Sequence, residues 1–256
     1  MTKPTLFCIH GGPGMDHTSL KPGILSLQSL FDLHFIDLNH DGGAYSLSRY
    51  ASDVCEVVKK VAPSSPIGLF GHSFGGHVAM EALLQAPAFF DFAILANTFC
   101  NVADWIDYIS YTSKLLHNPS AEAIEAAYNN SSKKDADFKQ LMLGYAPLYF
   151  PEISLEEARR IMAQWHYYAA PYNDAVANIY SKIDMTQKCR HILAKCLVIG
   201  GAQDKIVAPQ EVDRLVQLIP NATGVKIPNA CHFPFITESK MFESAVQKWC
   251  KKVALC

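Results

Sequence analysis

Gly71-His72-Ser73-Phe74-Gly75-Gly76 is the stretch from which the fold follows. The run Pro66 to Phe70 before it has the length and apolar character of a buried strand, and His77 to Ala86 after it has helical character and ends at Pro87. A serine in a sharp strand-to-helix turn projects its hydroxyl out of the sheet, and Gly71 and Gly75 remove the side chains that would clash there. Ser73 is the candidate nucleophile. A serine hydroxyl is a weak nucleophile at neutral pH. It needs a histidine to take its proton and an acid to hold that histidine in the right tautomer.

Both partners are found late in the chain. The apolar run Cys196 to Gly200 is followed by Gly201-Ala202-Gln203-Asp204, which puts a carboxylate on a loop after a strand. The last strand-like run, Gly224 to Ile227, is followed by Asn229-Ala230-Cys231-His232-Phe233-Pro234, which does the same for an imidazole. Open α/β sheets build their sites at the carboxyl ends of their strands, and Ser73, Asp204, His232 is the order that accompanies this kind of elbow. Asp41, Asp91 and Asp184 also fall near strand ends, while Asn97, at the other position open to an acid, cannot be an anion. His10 and His72 belong to the backbones of their motifs and are read as structural, and His77 as helix surface or core. The oxyanion of acyl transfer needs N–H donors already in position. Phe74 supplies one, and His10-Gly11-Gly12-Pro13-Gly14 the other, with Gly12 favoured over Gly11.

Apolar runs at Thr5 to Ile9, Leu33 to Leu38, Ile67 to Phe70 and Phe92 to Ala96, with helical spacing between them, are βαβ punctuation and predict an α/β fold with a mostly parallel sheet flanked by helices. Leu47 to Val61 is one such helix, with Tyr50, Val54, Val57, Val58 and Val61 along one stripe and Pro63 beyond its end. From 101 to 185 the pattern changes to helical runs only, including Trp105 to Leu116, Ser120 to Tyr128 and a helix opened by the Ser154-Leu155-Glu156-Glu157 capping box. The expected organisation is a core of 1–100 and 186–256 interrupted by an all-helical insertion over 101–185. The sheet then resumes, with helices over Pro209 to Leu218 and Lys240 to Val253.

Composition bounds the function. A formal charge of −2 over 256 residues, with no run of Lys or Arg, removes the electrostatic reason to expect nucleic acid or an anionic membrane. The expected partner is a small diffusible substrate. The eight cysteines form no CxxC pair, and there is no HExxH or carboxylate loop. No metal or cofactor is expected, and Gly71 to Gly76 lacks the GxGxxG spacing of a dinucleotide site. No stretch approaches the roughly 20 apolar residues needed to cross a bilayer, and no signal-peptide core precedes His10. A cytoplasmic protein with free thiols is the expectation.

The HGGPG of His10 to Gly14 and the GHSFGG of Gly71 to Gly76, with Asp204 and His232, resemble the α/β-hydrolase superfamily, most closely its proline iminopeptidase-like branch. The resemblance implies the α/β-hydrolase fold, a helical cap over the active site that sets substrate choice, and a Ser73, Asp204, His232 triad. The chain departs from that branch in three ways. Asp37 to Ser46 matches a DQRGxGxS-like stretch only in part, Phe74 stands where tryptophan is usual, and Cys231 stands where glycine is usual. It also starts at the strand carrying HGGPG, without the hairpin that usually comes first. The expected activity is serine hydrolysis of a small ester, amide or thioester through an acyl-enzyme. The alternatives are proline iminopeptidase activity, with Glu152, Glu156 and Glu157 as candidate anions, and a hydrolase-like receptor with little turnover. Gly11, Trp105 and Trp165 are candidate substrate contacts; Tyr108, Tyr111, Tyr167, Tyr168 and Tyr172 are further aromatics of the insertion.

Overall fold

Six strands form one sheet in the computed structural model: β1 (Thr5–Ile9), β2 (Asp32–Ile36), β3 (Ile67–His72), β4 (Phe92–Ala96), β5 (Lys195–Gly201) and β6 (Ala222–Ile227). The structure describes residues 3–38, 45–61, 65–115 and 120–255, with backbone alone over 114–115 and 120–124. The order is β2-β1-β3-β4-β5-β6 and every pairing is parallel. Parallel pairing sends every strand's carboxyl end to one rim. The loops after β1, β3, β4, β5 and β6 therefore all open at the same edge.

Side chains alternate across this sheet, so it makes two cores. Phe7, Ile9, Leu69, Ala93, Leu95 and Val198 point to one face, against Val54, Val78 and Leu215. These come from α2 (Leu47–Val61), α3 (Phe74–Gln85) and α10 (Gln210–Leu218). Leu6, Cys8, Phe70, Ile94, Leu197 and Ile199 point to the other face, against Ile24, Phe235, Phe242 and Trp249. These come from α1 (Lys21–Ile24), α11 (Pro234–Thr237) and α12 (Ser239–Lys252). Burial on both faces is why β1 and β4 read as unbroken apolar runs.

Between β4 and β5 the described residues form helices: α4 (Val102–Leu115), α5 (Ser120–Asn129), α6 (Asp135–Gly144), α7 (Ala146–Tyr149), α8 (Leu155–Ala163) and α9 (Ala169–Asn178). Ser154 caps α8, accepting from Glu157 N at 3.1 Å. The segment leaves and rejoins the sheet through a paired neck. Asn101 bridges Asp184, Val102 N donates to Ile183 O at 3.0 Å, and Met185 N to Cys100 O at 2.8 Å. Cys8, Cys55, Cys100, Cys189, Cys196 and Cys231 are free and buried, Cys250 is buried, and Cys256 lies outside the described residues. Among the described residues no helix is long and apolar enough to cross a membrane.

Candidate active site

The turn from β3 into α3 is built around Ser73, whose φ of 52° and ψ of −117° is a conformation that L residues rarely adopt. Its N–H is tied to Ala96 O at 2.9 Å, and its carbonyl accepts from Gly76 N at 2.9 Å. The crossing is tight. A Cβ on Gly71 would lie 2.5 Å from Gly75 O, and one on Gly75 would lie 2.3 Å from His10 O. The second contact carries chemical weight, because it presses the loop after β1 against the elbow. Gly12 in that loop has φ +53°, and a Cβ on Gly11 would lie 2.6 Å from His72 Nδ1. Phe74 is the first residue of α3, where backbone N–H groups have no partner within the helix. Both expected oxyanion donors thus sit in loops held against each other.

Asp204 and His232 are brought together: His232 Nδ1 lies 2.9 Å from Asp204 Oδ2, and both side chains are buried. The carboxylate accepts from Ile206 N at 2.8 Å and Val207 N at 3.1 Å on Oδ1, and from Asn97 Nδ2 at 2.8 Å on Oδ2. A carboxylate acting only as acceptor makes Nδ1 of His232 the donor and leaves Nε2 as the free ring nitrogen. Asn97, excluded above as an acid, has a different position. It follows β4 with φ 47°, and its Nδ2 also donates to Cys231 O at 3.0 Å, so one amide ties the loops of Asp204 and His232 together. Reading residue types alone missed it; the signal available was a polar residue at the carboxyl end of an apolar strand.

The three histidines set aside as bases, His10, His72 and His77, have structural partners. Leu38 N donates to His10 Nε2 at 3.1 Å, and His10 Nδ1 lies 3.0 Å from Gly11 O. His72 Nε2 donates to His232 O at 2.9 Å, binding the residue before Ser73 to the late loop. Burial, with His232 alongside, pushes the His72 imidazole well below its ordinary pKa, so it brings no positive charge to the rim. His77 Nε2 donates to Phe99 O at 2.8 Å, and burial pushes its pKa down to about 4. Asp91 and Asp184 also have local duties: Asp91 Oδ2 accepts from Ile67 N at 2.8 Å and Asp184 Oδ1 from Thr186 N at 2.9 Å. Asp41 lies outside the described residues, as does most of the stretch Asp37 to Ser46.

The helical segment reaches this rim. Tyr149 of α7 sets its ring edge-on to His232 at 5.4 Å, Tyr180 packs on Phe74 at 5.8 Å, and the Tyr108 hydroxyl of α4 donates to Asp204 O. Burial drives the hydroxyls of Tyr149 and Tyr180 far above the usual phenol range, and that of Tyr172 up to about 12. Tyr149 and Tyr180 were not singled out by sequence. Trp105 stacks between Phe99 at 5.1 Å and Tyr180 at 5.5 Å, and Trp165 packs on Phe233 at 5.0 Å with 3% of its surface exposed. Tyr111 points outward, 60% exposed. Glu156 and Glu157 occupy the first turn of α8, where Glu157 pairs with Arg160 at 2.6 Å, whereas Glu152 lies beside the Cys231 thiol. Asp16, His17 and Asp37 form the one metal-compatible group among the described residues, and His17 Nδ1 is already 2.8 Å from Asp37 Oδ2.

Comparison with known proteins agrees with this fold. Residues 4–239 match the family model described as alpha/beta hydrolase fold. The chain is 25% identical over 237 residues to a pimeloyl-[acyl-carrier protein] methyl ester esterase of Nitrosospira multiformis, covering 88% of this chain and 87% of that protein. It is 22% identical over 259 residues to the proline iminopeptidase PfmaB of Pestalotiopsis fici, covering 97% and 92%. Among solved structures, a thermophilic esterase from Thermogutta terrifontis superposes with a TM-score of 0.75 at 21% identity, covering 98% of this chain and 91% of that one.

Proposed function

We propose, from the premise that this chain belongs to the α/β-hydrolase fold family, that it is a serine esterase acting on a small acyl ester or thioester through an acyl-enzyme. The observation carrying this reading is the buried Asn97, Asp204, His232 hydrogen-bond chain at the rim where Ser73 is held in a strained turn. In the proposed reaction Ser73 Oγ attacks the carbonyl carbon while His232 Nε2 takes its proton, and Asp204 holds the resulting imidazolium. The amides of Gly12 and Phe74 receive the oxyanion, a donor of this kind contributing roughly 3 kcal/mol. The tetrahedral species collapses, His232 protonates the departing alkoxide or thiolate, and water then repeats the sequence on the acyl-enzyme.

The helices between β4 and β5 are proposed as a cap, supported by the contacts of Tyr149 with His232 and of Tyr180 with Phe74. Tyr172, Trp105 and Gly11 join the proposed substrate surface, while Trp165 supports it by packing on Phe233. Two relatives at this identity act, by name, on a methyl ester and on N-terminal proline. Glu152, beside Cys231, is the feature favouring the second reading, since a free amino group needs an anion near the triad. Free, buried cysteines support a reducing, cytoplasmic setting.

The test is labelling by a fluorophosphonate probe combined with turnover of a short p-nitrophenyl ester and of a prolyl anilide. Ser73→Ala should abolish labelling and cut kcat by about 10⁴ or more while leaving the circular dichroism spectrum intact. An unlabelled wild-type protein would leave only the receptor reading, and a prolyl anilide preferred over the ester would move the assignment to the aminopeptidase.

A further inference from the structure

The far edge of the sheet carries a second surface, with no residue in common with the rim. A groove of about 480 Å³ runs between β6 and α12, lined by Thr223, Val225, Ile227, Met241, Ala245 and Trp249 together with four lysines. The lysines are Lys226 on β6 and Lys240, Lys248 and Lys252 on α12. Helical spacing explains the arrangement. Lys240, Ser244, Lys248 and Lys252 fall at four-residue steps, and so do Met241, Ala245 and Trp249, so one side of α12 presents a cationic ladder beside an apolar strip.

Every charged residue lining the groove is a cation. Lys226 is neutralised by Asp213 on α10, at 2.5 Å, and among the described residues the groove lysines without an ion pair are those of α12. The Trp249 side chain is buried, and its Nε1 donor has no acceptor among the described residues. Met241, beside Lys240 at the start of the lysine row, is 42% exposed. Beside the groove, β6 pairs only with β5 among the described residues, so its outer backbone edge has no strand partner there. Protecting a sheet edge against chance pairing takes a charge on the strand, and Lys226 is that charge. Three more lysines on the neighbouring helix exceed this need.

We infer that the β6–α12 groove is a docking surface for an acidic, amphipathic segment of a partner protein, bound in extended form along β6. The side chains on its α12-facing side, every second residue of the extended segment, would include apolar ones against Val225, Met241 and Ala245 and carboxylates facing Lys240, Lys248 and Lys252. The ladder from Lys240 to Lys252 spans about 18 Å at the helical rise, which matches a run of several acidic residues better than a single carboxylate. Strand addition to an open edge supplies backbone hydrogen bonds, and the alternate side chains supply selectivity. The surface ends at Ile227 and Pro228, where the chain turns into the loop leading to His232.

Fluorescence anisotropy with the full-length protein tests this, using a labelled peptide in which glutamate and valine take turns at every second position with serine between them, and a counterpart with lysine in place of glutamate. The acidic peptide should bind and the basic one should not. Raising sodium chloride from about 20 to about 300 mM should weaken the complex several-fold. Lys240→Glu/Lys248→Glu/Lys252→Glu should weaken it at least about tenfold with esterase turnover unchanged. Met241→Glu, a single surface change that leaves the ladder in place, should weaken it too. Absence of binding at low salt, equal binding by the charge-reversed protein, or a dimer that sedimentation shows to depend on these lysines would overturn the inference.

Discussion

Asn97 stands where an acid would complete an alternative triad, and its amide instead donates to Asp204 and to Cys231 O. Asn97→Asp therefore puts a second carboxylate about where Nδ2 now lies, 2.8 Å from Asp204 Oδ2. Two carboxylates that close do not both ionise at their ordinary pKa, and one is forced upward. The acidic limb of the kcat/KM profile should move up by about 1 unit or more; a profile superposable on the wild type would separate Asn97 from the reacting groups. His77 supplies a pH prediction of a different kind. Its folded-state pKa of about 4 lies below the ordinary imidazole value of 6.5, so the unfolded chain binds the proton first as pH falls. Its contribution is intact above about 6.5 and is lost downward through 4, costing about 2 kcal/mol by pH 5. Urea midpoints at pH 7 and pH 5 should differ accordingly, and His77→Leu should shrink that difference even though it lowers stability at both.

At the scale of elements, the elbow depends on backbones approaching where no side chain fits. Gly75→Ala would place a methyl 2.3 Å from His10 O and 2.6 Å from Ile9 O, and neither backbone atom can retreat cheaply. A loss of about 3 kcal/mol is expected, lowering Tm by about 6–12 °C, with hydrolase activity falling further because the proposed oxyanion loop is displaced. A Tm within a degree or two of wild type would mean that the two loops are not in contact. The same contact explains how readable this element was. Gly71, Ser73 and Gly75 announce a strand-to-helix turn, and Thr5–Ile9, Leu47–Val61 and Phe92–Ala96 were recovered to the residue. α6, α7 and α9 were not anticipated individually, because α7 is only four residues long and all three depend on packing against neighbouring helices more than on a strong stripe of their own.

Across the whole molecule, the proposed cap is pinned to the proposed oxyanion loop by a small set of bonds centred on one carboxylate. Asp16, two residues beyond Gly14, accepts from Thr18 N at 2.9 Å and from His166 Nδ1 at 2.8 Å, and His166 N donates to Thr18 Oγ1 at 3.0 Å. Tyr168 N reaches Gly14 O at 2.7 Å. His166 is largely in solvent while Asp16 is buried, and their bond lies between the proposed cap and the proposed oxyanion loop. Asp16→Ala should raise KM about five- to tenfold with a smaller change in kcat, and should speed limited proteolysis within 101–185. A KM left unchanged would detach the latch from substrate binding.

The sequence by itself determined the parallel sheet, the elbow and the identities of Ser73, Asp204 and His232 as residues delivered to one rim. Strand periodicity is local, and parallel pairing sends every strand's carboxyl end the same way. Only the tertiary structure decided what meets there: Asn97 joining two loops separated from it by more than a hundred residues, Tyr149 against His232, and Asp16 against His166. Such contacts join residues far apart in the chain, and nothing in their local spacing encodes the partner; the packing of the two sheet faces and of the helices above the rim selects it.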